Sequence, residues 1–332
     1  MTAVAAHSEP RTSPVQPMPL AKRTFPGLVA VFLVLAVAGQ SVTAQCPSLR
    51  PQDTFWSIST RHLGCPSSET PDLHIRRYDD GWRDADMAEF LDAGSLEAIT
   101  CITVQAARAD SSVTVSRGFD LYHCLARRTD APLRFVVWLW PTPSTVRVVR
   151  DFRVSYEVMD RHAYYLGWFL TQMPAEAQVS LIGFSMGASV IAGGLHVAAG
   201  GSLAGQELPG DGGPSQTRVV LWSAAFHNYW LSPESHYGRS MSRVDHMYLL
   251  VNSLDPVLKR YRLVEHRSHA RALGYTGLAC VGEMGSDRNR ITQVNGRGSL
   301  GRHHEYDRHM QAGAILGPSL RCLLWQPADE IR

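Results

Sequence analysis

The sequence predicts an α/β fold: a doubly wound, mostly parallel sheet with helices on both faces. Short β-rich apolar runs alternate along the chain with longer amphipathic segments, and that alternation implies parallel pairing. The apolar runs are also continuous rather than alternating, as strands covered on both sides are. After residue 45 no composition shift or linker marks a second domain, so residues 46–332 read as one.

The elements follow in order. Residues 54–60 (TFWSIST) and 73–78 are early strands, and 98–104 (AITCITV) has a buried-strand pattern. Residues 118–128 look helical. Residues 133–140 (LRFVVWLW) form another buried strand, stopped by Pro141 and Pro143. Residues 158–172 have helical spacing. Residues 178–184 (QVSLIGF) read as a strand and 186–199 as a helix. Two further strands are 218–223 (RVVLWS) and 246–252 (HMYLLVN), with a short one expected at 276–281. The Gly-rich stretch 199–216 reads as a surface loop.

The first 45 residues differ. Residues 1–24 are polar and Pro-rich, with Arg11, Lys22 and Arg23 against Glu9. Residues 27–39 (GLVAVFLVLAVAG) are uncharged and apolar, too short for a comfortable membrane span, which needs about 20 residues. Basic residues before and small residues after suit a signal peptide, with cleavage after Ala44. The alternative is an uncleaved anchor that associates the protein with a membrane. Either way the expectation is export, to the periplasm, the envelope or the medium.

Lys plus Arg total 32 and Asp plus Glu 30, a net charge of +2 with no long run of one sign. That balance gives no basic face for a nucleic-acid partner and points to small-molecule chemistry or a protein contact. Of the six cysteines none forms a Cys-x-x-Cys pair, which disfavours zinc ribbons and thioredoxin-like sites. Cys46 and Cys65, in polar loop-like sequence, are the candidate disulfide, whereas Cys101 and Cys280 in apolar runs read as buried small hydrophobes.

The stretch Gly183-Phe184-Ser185-Met186-Gly187 carries the chemistry. G-x-S-x-G alone is common, but here it ends a buried strand and opens a helix. Glycines on both sides permit a sharp turn that lifts the Ser185 hydroxyl clear of the sheet. A serine hydroxyl is a weak nucleophile until a base takes its proton. In the strand-turn-helix setting the order is Ser, acid, His. Asp255 follows the strand 246–252 at a carboxyl-end loop and is the candidate acid. Asp245 precedes the same strand, and Asp211 lies in a loop before a strand, so both are badly placed. The base lies near the C-terminus, where His303, His304 and His309 are available and periodicity does not choose among them. A metal site on His303, His304, Glu305 and His309 is disfavoured because the spacing does not match H-E-x-x-H.

With these motifs the chain resembles the α/β-hydrolase superfamily over most of residues 54–325. More narrowly it is similar to a group of uncharacterised α/β-hydrolase proteins from planctomycete-type bacteria. FWSISTR (55–61), FVVWLWP (135–141), SLIGFSMGA (180–188), LWSAAFHNYW (221–230), VNSLDPVLKRY (251–261) and ALGYTGL (272–278) carry the likeness. The resemblance implies a last motif of Gly, two residues, His, one residue, aromatic. Gly301 to Tyr306 fits it with His304 as the base. The sequence departs from the family at the strand end that should read His-Gly, where Gln105 and Ala106 stand. Backbone N–H groups survive that change, so the oxyanion hole falls to Met186 together with Ala106 or Ala107. The Cβ of Ala106 restricts the loop's dihedrals.

The resulting expectation is an ester hydrolase working through an acyl-enzyme on Ser185, with no metal or organic cofactor. The aromatic residues of 226–237 are candidates for an acyl pocket, against core packing as the alternative. A catalytically weak or inactive binding protein of the envelope is the second reading, motivated by Gln105 and Ala106. An acyltransferase on the same acyl-enzyme is the third.

Overall fold

The computed structural model describes residues 48–92, 97–105, 111–141, 148–210, 212–261 and 270–331, with the backbone alone for 148–155. The N-terminal segment 1–45, Cys46 with its expected pairing to Cys65, and Asp211 lie outside the described residues. No helix among the described residues is long and apolar enough to cross a membrane.

The chain opens with β1 (Thr54–Ser59), β2 (His74–Tyr78), β3 (Trp82–Ala85) and a short α1 (Met87–Asp92). Next come β4 (Ile99–Val104), α2 (Ser111–Ala126), β5 (Leu133–Leu139), α3 (Val148–Thr171), β6 (Val179–Phe184) and α4 (Met186–Ala198). A hairpin of β7 (Ser202–Leu203) and β8 (Gln206–Glu207) precedes β9 (Thr217–Trp222) and β10 (Val244–Val251). The last part holds α5 (Pro256–Lys259), α6 (Leu273–Thr276), β11 (Ile291–Asn295), α7 (Arg297–Leu300), α8 (Tyr306–Gln311) and α9 (Gly313–Leu323).

Among the described residues nine strands form one sheet in the order β11-β10-β9-β6-β4-β5-β1-β2-β3. The seven from β11 to β1 are parallel, while β2 and β3 add an antiparallel edge. Side chains alternate between the two faces. Trp56, Ile102, Val136, Leu181, Val219 and Leu249 pack into one cluster with residues of α3 and α4. Phe55, Phe135, Ile182, Val220, Trp222 and Leu250 pack into another with α2 and α9. Both faces are covered, as the continuous apolar strands require.

Four expectations need correction. Residues 276–281 are no strand: Gly277 at φ +77° and Cys280 at φ +52° break any extended run, and the last strand is instead β11. Cys280 is exposed, not a buried hydrophobe, whereas Cys101 is fully buried on β4. The helix expected at 118–128 begins at Ser111, and the one at 158–172 begins at Val148. The loop 199–216 contains the small β7–β8 hairpin.

Candidate active site

Ser185 stands between β6 and α4 with φ +57° and ψ −119°, a conformation that costs a non-glycine residue energy. Neighbouring backbone holds it there. Its N–H donates to the Trp222 carbonyl at 2.9 Å, and its carbonyl accepts from Ala188 and Ala225 at 3.2 and 3.1 Å. The flanking glycines are sterically required. A Cβ at Gly183 would sit 2.6 Å from Ala188 Cα, and one at Gly187 only 2.0 Å from the Val104 oxygen. The turn is therefore clamped between the ends of β4 and β9.

His304 comes from the loop between α7 and α8. Its Nε2 lies 3.1 Å from Ser185 Oγ and its Nδ1 lies 2.6 Å from Asp255 Oδ2. A carboxylate only accepts, so the proton sits on Nδ1 and the bare Nε2 accepts from the Ser185 hydroxyl. The imidazole rests on the Phe184 ring, centroids 5.2 Å apart. Asp255 is fully buried. Its Oδ1 caps α5, accepting from the Val257 and Leu258 N–H groups at 2.9 and 3.0 Å, which leaves Oδ2 for His304. Pro256 at the first helical position suits that turn.

The other two histidines do different things. His303 is exposed and faces the Glu305 carboxylate at 3.2 Å. His309 is fully buried. Its Nδ1 donates to the Glu305 carbonyl, so its Nε2 accepts from Ser223 Oγ at 3.0 Å. Burial pushes its pKa down to about 4, which keeps it neutral. Among the described residues no group of three or more ligating side chains is placed to hold a metal ion.

One residue with a structural part was not anticipated. Asn252, fully buried at the end of β10, donates from Nδ2 to the Gly301 carbonyl at 3.0 Å and accepts the Leu254 N–H at 3.1 Å. It ties the loop of Asp255 to the loop of His304. An asparagine just after a strand and just before the candidate acid was the available signal. Asp245, as expected, lies far from this group and pairs with Arg218 at 2.6 Å.

Met186 opens α4 immediately after Ser185, where an N–H has no partner within the helix. Ala106 and Ala107 lie outside the described residues. Gln105, just before them, is 2% exposed. Its carbonyl accepts from Trp140 Nε1 at 2.9 Å, and its side-chain Oε1 and Nε2 have no hydrogen-bond partner among the described residues. The segment 226–237 adjoins the elbow but chiefly packs. Phe226 and Tyr237 belong to the core, Trp230 stacks on His227 at 4.3 Å, and Tyr237 donates to Asp160 at 2.9 Å.

Chemically, this line of groups lets an imidazole draw the proton from a serine hydroxyl at a helix N-terminus, where negative charge is favoured. No protein-family model matches the chain, and no curated protein matches it. Among solved structures, an acetyl xylan esterase is similar at 8% identity and a TM-score of 0.37, over 72% of this chain and 100% of that one. Acyl-protein thioesterase 2 of Zea mays is similar at 16% identity and 0.36, over 68% and 94%. The lin2722 gene product of Listeria innocua is similar at 10% and 0.34, over 70% and 97%. The chain's own mostly parallel sheet, covered by helices and with a serine turn closing its central strand β6, fits an α/β-hydrolase fold.

Proposed function

We propose that the protein is a serine hydrolase acting on carboxylic esters, with Ser185 as nucleophile, His304 as general base and Asp255 as the acid that orients it. The observation that carries this reading is the hydrogen-bonded line from Ser185 Oγ through His304 to Asp255. His304 Nε2 takes the Ser185 proton as Oγ attacks the acyl carbon. Asp255 holds the Nδ1 proton and stabilises the imidazolium. His304 then gives its proton to the leaving alcohol, and water resolves the acyl-enzyme by the reverse sequence. The Met186 N–H is one oxyanion donor, and Ala106 or Ala107 supplies the second. One lost donor costs about 100- to 1000-fold in rate. The acyl substrate is a small molecule, met outside the cytoplasm if residues 1–45 act as an export signal or anchor.

A fluorophosphonate probe tests this directly. Labelling that disappears in Ser185→Ala is expected, together with release of p-nitrophenol from short p-nitrophenyl esters. A well-folded protein that takes no label would overturn it. Gln105 and Ala106, in place of His-Gly, favour a second reading, a binding protein of the same fold with little or no turnover. Labelling without any ester turnover is the outcome that would select it. An acyl-enzyme that passes its acyl group to an added alcohol in preference to water would instead mark an acyltransferase.

A further inference from the structure

The α2 face of the sheet changes character along β1 and β2. Phe55 pairs with Tyr78 in the core, but the next two pairs on the same face are Ser57 with Arg76 and Ser59 with His74. A core would continue apolar there. Instead the strip lies in a cleft of about 350 Å³, which Arg61 and the first turn of α2 also line. No carboxylate is among the described residues that line it, and the first turn of the sixteen-residue α2 carries no acid. The Arg61 guanidinium has no hydrogen-bond partner among the described residues. Arg76 donates from Nη2 to the Trp82 carbonyl at 3.4 Å, and its guanidinium lies over the Trp82 ring. Asp84 approaches Arg76 and His74 at 3.4 Å, but its side chain is 82% exposed, so it offsets their charge weakly.

Strand register sets the distance from the cleft to Ser185. Ser59 pairs with Leu139, and Val104, the last residue of β4, pairs with both Trp138 and Gly183. One step further, Phe184, Gln105, Leu139 and Ser59 therefore form a row across four strands at the carboxyl edge. Leu139 and Ser59 line the cleft, and Phe184 precedes Ser185. Gln105, whose buried amide has no hydrogen-bond partner among the described residues, sits between. Three strand spacings make the row about 14 Å long.

We propose that this cleft holds an oxyanion group, carboxylate or phosphate, on the distal end of the ester substrate, gripped by Arg61 and Arg76. The proposal rests on the hydrolase reading of Ser185 and narrows its substrate class. The test compares p-nitrophenyl hemiesters of dodecanedioic acid and of 12-phosphonooxydodecanoic acid with the neutral monomethyl ester of the first. A charged ester is expected to be preferred about tenfold or more in kcat/KM. The preference should fall toward one in Arg61→Ala/Arg76→Ala. The preferred charged ester, carboxylate or phosphate, identifies the group. Equal hydrolysis of charged and neutral esters, or a preference that survives the double substitution, overturns the proposal and leaves the hydrolase reading intact. If the folded protein hydrolyses none of them and takes no fluorophosphonate label, the hydrolase reading falls instead. Calorimetric binding of dodecanedioate to Ser185→Ala then decides the cleft: binding lost on removing both arginines supports an anion site, and no binding rejects it.

Discussion

Gly187 lies with its Cα against the Val104 carbonyl, so close that a Cβ would sit 2.0 Å from that oxygen. The start of α4 is thereby seated on the end of β4. Both groups are backbone or backbone-bound, so neither can swing aside. Gly187→Ala should push the elbow away from β4, at a cost of about 1–3 kcal/mol. It should also cut ester turnover and probe labelling at least tenfold, because Ser185 moves with the turn. Thermal melting and active-site titration check both, and wild-type labelling in this variant would count against so tight a clamp.

Asp255 serves two partners, and conservative replacement separates them. An asparagine can still cap α5 through its carbonyl oxygen, but its amide then presents a donor to His304 Nδ1. The wrong imidazole tautomer follows. Asp255→Asn should reduce kcat by about 10⁴-fold, as loss of the orienting acid does elsewhere. Its melting temperature should stay closer to wild type than that of Asp255→Ala, which also loses the cap.

The two adjacent histidines should behave oppositely. His304→Ala is expected to abolish fluorophosphonate labelling. His303→Ala, which loses only an exposed contact to Glu305, should label within about twofold of wild type, since such surface pairs contribute little. The reverse pattern would transfer the base to His303.

Asn252 offers a test of the tie between loops. Asn252→Ala leaves the Gly301 carbonyl and the Leu254 N–H without their partner, at about 1–3 kcal/mol for a buried loss. Because Gly301 lies three residues before His304, kcat should fall while the melting temperature drops only a few degrees. An unchanged kcat with a lower melting temperature would confine Asn252 to stability.

Four buried histidines set a pH window. Burial lowers His162, His196, His227 and His309 from 6.5 to about 4. Between those values the unfolded chain binds protons that the native state refuses. Stability is therefore complete above about pH 6.5 and declines as pH falls toward 4, by up to about 1.4 kcal/mol per unit for each group. Urea midpoints from pH 7 to 4.5 measure this, and a flat profile would mean these rings are protonated or exposed in the native state.

The central strands were legible in the sequence because burial on both faces makes them continuous apolar runs, and the parallel sheet followed from their alternation with helices. β11 was not, because ITQVN is an edge strand with partly exposed residues and one neighbour, so it needs no such run. The antiparallel edge β2–β3 carries arginines and acids for the same reason. At the site, chain order and the strand-end position selected Asp255, and the likeness of the last motif selected His304 over His303. Asn252 escaped because its part depends on Gly301, whose approach is purely tertiary. Cys280 misled because its apolar neighbours suggested burial, whereas its left-handed backbone turns it outward.

Ser185 and His304 are 119 residues apart in the chain, and His304 and Asp255 are 49. No local segment contains two of the three. Their hydrogen bonds can close only after β6, β10 and the C-terminal helices have all docked. A chain still unfolded has no imidazole beside the Ser185 hydroxyl. On the proposed function, labelling of Ser185 by a covalent probe would thus be a clock for folding, started by completion of the sheet and readable without any optical signal from the protein itself.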